Sequence, residues 1–272
     1  MKFYLYIFLF ISMISCSYNT TSPTDTLDNY SDTLNRELIL VNSDANYNVM
    51  ETAMIRNRNI FGKYIIAITG DVNNPTLTLN NIKKVLNDSK YANDQIEVDF
   101  SKTTLTSMPK GAFKGVATLG SVLLCDVMFT IEESAFENCS SLSYVRFPKD
   151  LREIKANAFK NCKAMKSLYL FGSVSTIGKN SFDGLSEMES LVLPENLTSI
   201  EEGAFANCTK LKKVQYFGND PKELQNSKQA FNTGTSPEYL YLPDVKEALA
   251  STDWKTFLNV NWKQVLYSQY IK

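Results

Sequence analysis

A phenylalanine recurs every 23 residues through the middle of this chain, at Phe113, Phe136, Phe159, Phe182 and Phe205. Around each one, apolar residues return at the same offsets: eight, five and one before, and six, nine and eleven after. Seven positions in five copies make 35 slots, of which 34 are apolar, Ser181 being the exception. At 44% hydrophobic content, composition alone would fill about 15. One such unit cannot bury its apolar side by itself. A period of this length therefore restricts the chain to stacked coils that share one continuous core.

Within each unit the apolar residues nine and eleven after the phenylalanine (Val122 and Leu124, Val145 and Phe147, and so on) stand at period two, which predicts a short strand whose alternate residues point inward. The Ala-Phe segment, with apolar residues at offsets zero, three and six, predicts one or two turns of helix. A sixth, irregular coil follows at Ala230-Phe231, with Leu240 and Leu242 in the strand slots. The expected fold is an α/β repeat solenoid with short concave strands and short helical segments, capped at both ends. Residues 101–243 hold the repeats. Residues 63–100 read as a strand-helix-strand N-terminal cap, and residues 244–272, with Val245 to Leu249, Trp254, Phe257 and Trp262, as a helical C-terminal cap. Residues 34–62 read as a poorly defined linker or pre-domain, in which a short strand at Leu38 to Val41 and a short helix at Val49 to Ile55 are the legible pieces.

The signature Ala-Phe-x-Asn-Cys at Phe136 to Cys139, Phe159 to Cys162 and Phe205 to Cys208, with strands closed by Pro148, Pro194 or Pro243, resembles the BspA-like, treponemal-type leucine-rich repeat. The resemblance spans about residues 64–265, the closing Tyr-Leu-Tyr-Leu-Pro and its Trp-bearing tail included. Val116 and Leu185 depart from it in the cysteine slot, and Cys125, Phe171 and Phe217 in the proline slot. It implies a surface lipoprotein that adheres to host or matrix proteins such as fibronectin, or to other cells.

The amino terminus carries its own signal. Met1 and Lys2 precede an apolar run that ends at Ser15-Cys16, shorter than the roughly 20 residues a spanning helix needs. Residues 1–15 read as a signal peptide. The stretch Met13-Ile14-Ser15-Cys16 resembles a bacterial lipobox, with Met13 in place of the preferred leucine, which implies lipidation of Cys16. An ordinary cleaved signal with Cys16 incidental is the alternative. Acyl chains would hold the protein to the cell envelope, at the outer membrane or cell surface, since each buried methylene contributes about 0.8 kcal/mol. Residues 16–33, rich in Ser, Thr, Asn and Asp, then form a flexible tether.

Charge and chemistry narrow the function. Lys and Arg number 28 against 29 Asp and Glu, so no positive excess exists for a nucleic acid partner. Histidine is absent, which removes the commonest general base and metal ligand. No enzyme, metal or cofactor is expected. Cys139, Cys162 and Cys208 share one apolar repeat slot, which predicts buried thiols; coil spacing would allow a disulfide between Cys139 and Cys162. Gly172 to Lys179 evokes a phosphate loop but has five residues between its glycines and ends in Asn180. Asp71, Asn73 and Asn74 hint at calcium, yet the twelfth position is Ile82 where a glutamate belongs. Glu132-Glu133 and Glu201-Glu202 precede the predicted helical segments, where a helix dipole would favour them.

Strand residues at offsets eight, ten and twelve are expected to face away from the core, onto the concave side. They are Tyr144, Arg146, Tyr169, Phe171, Val192, Lys213, Gln215, Phe217, Tyr239 and Tyr241. Six are aromatic, and Tyr and Arg are enriched where proteins bind each other. Aromatics also simply favour strands. Six strands would give a face roughly 24 Å wide, sufficient for a protein or glycan ligand. An envelope structural protein docking membrane partners from the periplasmic side is the alternative function.

Overall fold

The computed structural model describes residues 37–224, 227, 229–232, 234–247 and 252–271. Cys16, the signal segment and the tether lie outside them. The chain begins as an α/β unit: β1 (Leu40–Asn42), α1 (Tyr47–Phe61), β2 (Tyr64–Gly70), α2 (Pro75–Leu86) and β3 (Ile96–Thr103). Asn46 caps α1 through the Val49 N–H, and Gly62 ends it in the left-handed region at φ 76°. Asn74 caps α2, with Pro75 in its first turn. The stretch read as a linker or pre-domain thus packs, from residue 37 on, with residues 63–100 in one α/β unit, β1 pairing in parallel with β2. The buried Asn57 fastens them: its Nδ2 donates to the carbonyls of Ile39 and Ile65, and its Oδ1 accepts from the Ile39 N–H.

Each coil then contributes two strands to two columns. The short column is β4 (Ser107–Met108), β6 (Thr130–Ile131), β8 (Glu153–Ile154), β10 (Thr176–Ile177) and β12 (Ser199–Ile200), all parallel and in continuous register. The long column is β5 (Leu119–Leu123), β7 (Tyr144–Arg146), β9 (Ser167–Tyr169), β11 (Ser190–Leu193), β13 (Lys213–Tyr216), β14 (Tyr239–Leu242) and β15 (Gln264–Tyr267). It is also parallel, but it divides into two sheets, β1-β2-β3-β5-β7 and β9-β11-β13-β14-β15. The division falls where Phe147 takes the inward slot that leucine or tyrosine fills in the other coils. Its ring stands edge-on to Phe159 at 5.6 Å.

The repeating phenylalanines are all fully buried and stack in a column, with centroid separations of 5.6, 5.0, 5.3 and 5.5 Å from Phe113 to Phe205. Phe100 extends it at one end and Phe231 at the other. Offset stacking at these distances adds to the large area each ring buries. This column crosses the Phe147 junction unbroken.

The segments expected to be helical are chains of tight turns. The residues two before and two after each phenylalanine are left-handed without exception: Gly111, Ser134, Asn157, Asn180 and Gly203 on one side, and Gly115, Asn138, Asn161, Gly184 and Asn207 on the other. Left-handed residues cannot propagate a right-handed helix. Alternate N–H groups instead reach the next coil: Ser134, Phe136 and Asn138 donate to the carbonyls of Ala156, Ala158 and Lys160. Those between them close turns within the coil, as Ala135 to Glu132 and Glu137 to Ser134. The expected helical C-terminal cap is likewise different. Leu249 lies outside the described residues; Thr252–Asn259 is 3-10 helical with a break at Thr256 to Leu258, and β15 follows. Trp254 packs against Tyr216 and Phe257 and closes the core there. Among the described residues, no helix is long and apolar enough to cross a membrane.

Candidate functional site

The outward residues of the long strands form two rows. One runs Ser121-Tyr144 across β5 and β7 and Ser167-Ser190-Lys213-Tyr239-Gln264 across β9 to β15. The other runs Leu123-Arg146 and then Tyr169-Val192-Gln215-Tyr241-Leu266. Their inward neighbours, such as Leu168, Leu191 and Val214, are at most 1% exposed, so period two puts the candidate residues on the side away from the core.

Not all of them are open to solvent. Tyr144, Tyr169 and Phe171 are 52, 48 and 46% exposed, whereas Val192 and Gln215 are buried at 4 and 5%. Arg146, Lys213, Phe217, Tyr239 and Tyr241 are half-buried. Gln215 is closed off by the segment after β15: its Oε1 accepts a hydrogen bond from the Ile271 N–H at 2.8 Å, and Tyr270 packs over the adjacent Phe217 at 6.3 Å. Val192 lies in the row between Tyr169 and Gln215. The accessible part of the face is therefore its middle, beside the division of the sheet.

There Tyr169 and Phe171 stack nearly parallel, with centroids 6.2 Å apart and planes within 9°. Arg146 reaches back to donate from Nη2 to the Leu124 carbonyl at 2.8 Å, with Asp126 at 4.0 Å, while its buried Nε has no partner. Glu97 accepts from Lys63 and from Ser121. Asp99, 3% exposed, lies beside Leu123; burial pushes its carboxyl up, against hydrogen bonds from Ser101 and the charge of Arg146. At the far end Lys263 sits over the Tyr239 ring. Sequence reasoning missed the covering segment, because nothing in the spacing of Tyr270 and Ile271 relates them to β13, 56 residues earlier in the chain. The β-rich run 264–267 is the one signal that a further strand precedes them.

The other motifs resolve into structure. Cys125, Cys139, Cys162 and Cys208 are buried free thiols; Cys139, Cys162 and Cys208 each donate to a carbonyl of the preceding coil, and Cys125 donates to that of Leu105. Burial pushes Cys139 and Cys208 up to about 12 and Cys162 well above its ordinary range, so the thiolate needed for nucleophilic attack is disfavoured. In the stretch evoking a phosphate loop, Gly178 lies where a Cβ would stand 2.8 Å from the Ala156 backbone nitrogen, so its glycine serves coil packing. With no helix following them, the paired glutamates answer to neighbouring coils: Glu132 to Lys155, Glu133 to Lys110 and Glu202 to Lys179, while Glu201 accepts the Lys179 N–H. Asp71 takes the Thr104 hydroxyl. Among the described residues, no three His, Cys, Asp or Glu side chains converge as a metal site.

A family model described as a BspA type leucine rich repeat region matches residues 106–236 in six copies. No curated protein matches the chain. Among solved structures it is similar to the T. pallidum leucine-rich repeat protein, at 29% identity over 44% of this chain and 58% of that one, with a TM-score of 0.43. It is similar to the pneumococcal vaccine antigen PcpA at 20% identity, over 65% of this chain and 42% of that one, with a TM-score of 0.52. A leucine-rich repeat protein from Eubacterium ventriosum matches at 15% identity, over 75% of this chain and 55% of that one, with a TM-score of 0.43. The chain thus spans roughly half the length of these proteins, and the likeness to the pneumococcal antigen is one of fold.

Proposed function

Residues 106–236 being a BspA-type leucine-rich repeat region, we propose that the chain is a non-enzymatic, cell-surface lipoprotein that binds a protein ligand through the long-strand face. The observation that supports this most is the exposure of Tyr144, Tyr169 and Phe171 beside Arg146 on one side of the sheets. Aromatic side chains supply large contact area at little entropic cost, and tyrosine and arginine are enriched among the residues that dominate the energetics of protein interfaces. A matrix protein of a host, fibronectin among them, is the ligand we would offer first. Cys16 is the proposed lipid attachment point, with residues 17–33 as the tether that holds the solenoid off the membrane.

Binding of the full chain to immobilised fibronectin, compared with a variant carrying Tyr144→Ala, Tyr169→Ala and Phe171→Ala, tests the face. Loss of binding with an unchanged melting temperature is expected, and undiminished binding would overturn the assignment. Palmitate labelling that survives Cys16→Ala would refute the anchor. Protease treatment of intact cells should remove the solenoid; protection would place it on the periplasmic side instead.

A further inference from the structure

The long-strand face already carries a peptide. After β15, Ser268 turns left-handed at φ 53°, its N–H bonded to the Leu242 carbonyl and its hydroxyl to that of Val245. This turn sends Tyr270 and Ile271 back across β14 to β13. There Tyr270 packs its ring on Phe217, and the Ile271 backbone N–H is taken by Gln215. The contact is made with positions ten and twelve of a coil, the second of which is a phenylalanine standing where the neighbouring coils have proline.

The same two positions recur two coils earlier as Tyr169 and Phe171, again with phenylalanine in the proline slot. Parallel strands at about 4.8 Å put the two pairs about 10 Å apart on one continuous surface, with Val192 and Pro194 between them. The covered pair is mostly shielded, Gln215 being 5% exposed. The earlier pair forms a flat stacked platform of which nearly half remains exposed. Tyr169 brings a hydroxyl, able to accept a backbone N–H, to the place where Gln215 uses its amide oxygen.

Taking the long-strand face as the binding surface, we infer that Tyr169 and Phe171 are a second seat of the same kind, for an extended peptide that presents an aromatic side chain followed by a free backbone N–H. The segment over Gln215 and Phe217 is the internal example of that ligand. The peptide lies across the strands, its aromatic ring on Phe171 and its next backbone N–H toward Tyr169.

The probe is a fluorescent peptide with the sequence of residues 264–272, and the receptor is the full chain, followed by anisotropy. Saturable binding is expected, weakened about tenfold or more in Tyr169→Ala and in Phe171→Ala, equivalent to about 1.4 kcal/mol. Peptide carrying Tyr270→Ala should be weakened equally, and Phe217→Ala in the receptor should leave binding unchanged. Both seat residues are half exposed, so an unaltered melting temperature confirms that the variants fold. Absence of saturable binding, or binding by the two seat variants as tight as by the unaltered chain, overturns the inference. So does loss confined to Phe217→Ala, which would show the probe exchanging with the internal segment. Fibronectin binding measured on the same proteins separates the two claims: dependence on Tyr144 without peptide binding would leave the face standing and remove the ligand class.

Discussion

The one slot that breaks the apolar pattern is also the one that leaves a polar group stranded. Ser181 is fully buried in the position that alanine fills in the other four coils, and its hydroxyl has no hydrogen-bond partner. A buried unpaired hydroxyl costs about 1 to 3 kcal/mol, and alanine keeps the same backbone and nearly the same volume. Ser181→Ala should therefore raise the unfolding free energy by about 1 kcal/mol, seen as a higher urea midpoint at an unchanged slope. The left-handed glycines permit a sharper comparison. At Gly111 an added Cβ meets nothing within 4 Å, so Gly111→Ala pays only for its backbone conformation, about 1 kcal/mol. At Gly203 the Cβ would collide with Oδ1 of Asn180 in the preceding coil, itself left-handed. Gly203→Ala should lower stability by about 2 to 3 kcal/mol, and equal losses at the two sites would show that coil contact adds nothing to conformational strain.

At the level of elements, the N-terminal α/β unit is joined by a polar cluster that has no counterpart among the described residues of the coils. On α1, Tyr47 donates its hydroxyl to Asp88 at 2.6 Å and Glu51 accepts from Tyr91 at 2.7 Å, while Lys90 pairs with Glu51 and Asp88. The Lys90 ammonium, then the Tyr91 hydroxyl, hold the Glu51 carboxyl below its ordinary range; the Tyr47 hydroxyl does the same for Asp88. A carboxyl whose folded pKa lies below its unfolded value stabilises the fold above that unfolded value, about 4 for both residues, and the contribution disappears as pH falls through the folded value. The melting temperature should accordingly drop more steeply below about pH 4.5 in the wild type than in Glu51→Gln; parallel curves would remove the cluster from the acid response. Strands and turns differed in how well the sequence announced them. Inward Val145 and Phe147, between outward Tyr144 and Arg146, read as strand because successive side chains of a strand point to opposite faces, and the same two slots stay apolar in every coil. Apolar spacing of zero, three and six is shared by a helix and by successive tight turns, so it could not separate them. Gly, Asn and Ser at both flanking positions were the discriminating signal, because those residues tolerate the left-handed region. The face itself was legible as a direction but not as an accessible surface: Gln215 pointed outward as expected, and its cover comes from Ile271, 56 residues away.

Across the whole molecule, two kinds of continuity disagree. The long-strand sheet divides between β7 and β9, whereas the short-strand column, the phenylalanine stack and one apolar core from Val41 to Trp262 run through that point. In a solenoid, stability is approximately the sum of coil terms and nearest-neighbour contacts, so a weak junction is where cooperativity would fail. The aromatic contact that spans the junction, Phe136 to Phe159 at 5.0 Å, is shorter than those of Phe113 to Phe136 and Phe159 to Phe182 on either side of it. Buried area, more than strand hydrogen bonding, supplies the net stabilisation, since a hydrogen bond contributes only about 1 kcal/mol net of what water would provide. The core should therefore win, and the chain should unfold as one unit. Its residues allow a direct check. Both tryptophans, Trp254 and Trp262, lie in the C-terminal cap, and among the described residues both α-helices lie in the N-terminal one. Tryptophan fluorescence then follows one end of the solenoid, and the helical signal in far-ultraviolet circular dichroism is weighted toward the other. Coincident urea transitions are expected from the two probes. A fluorescence transition displaced from the circular dichroism one would mean that the divided sheet, not the shared core, sets the limits of cooperative folding.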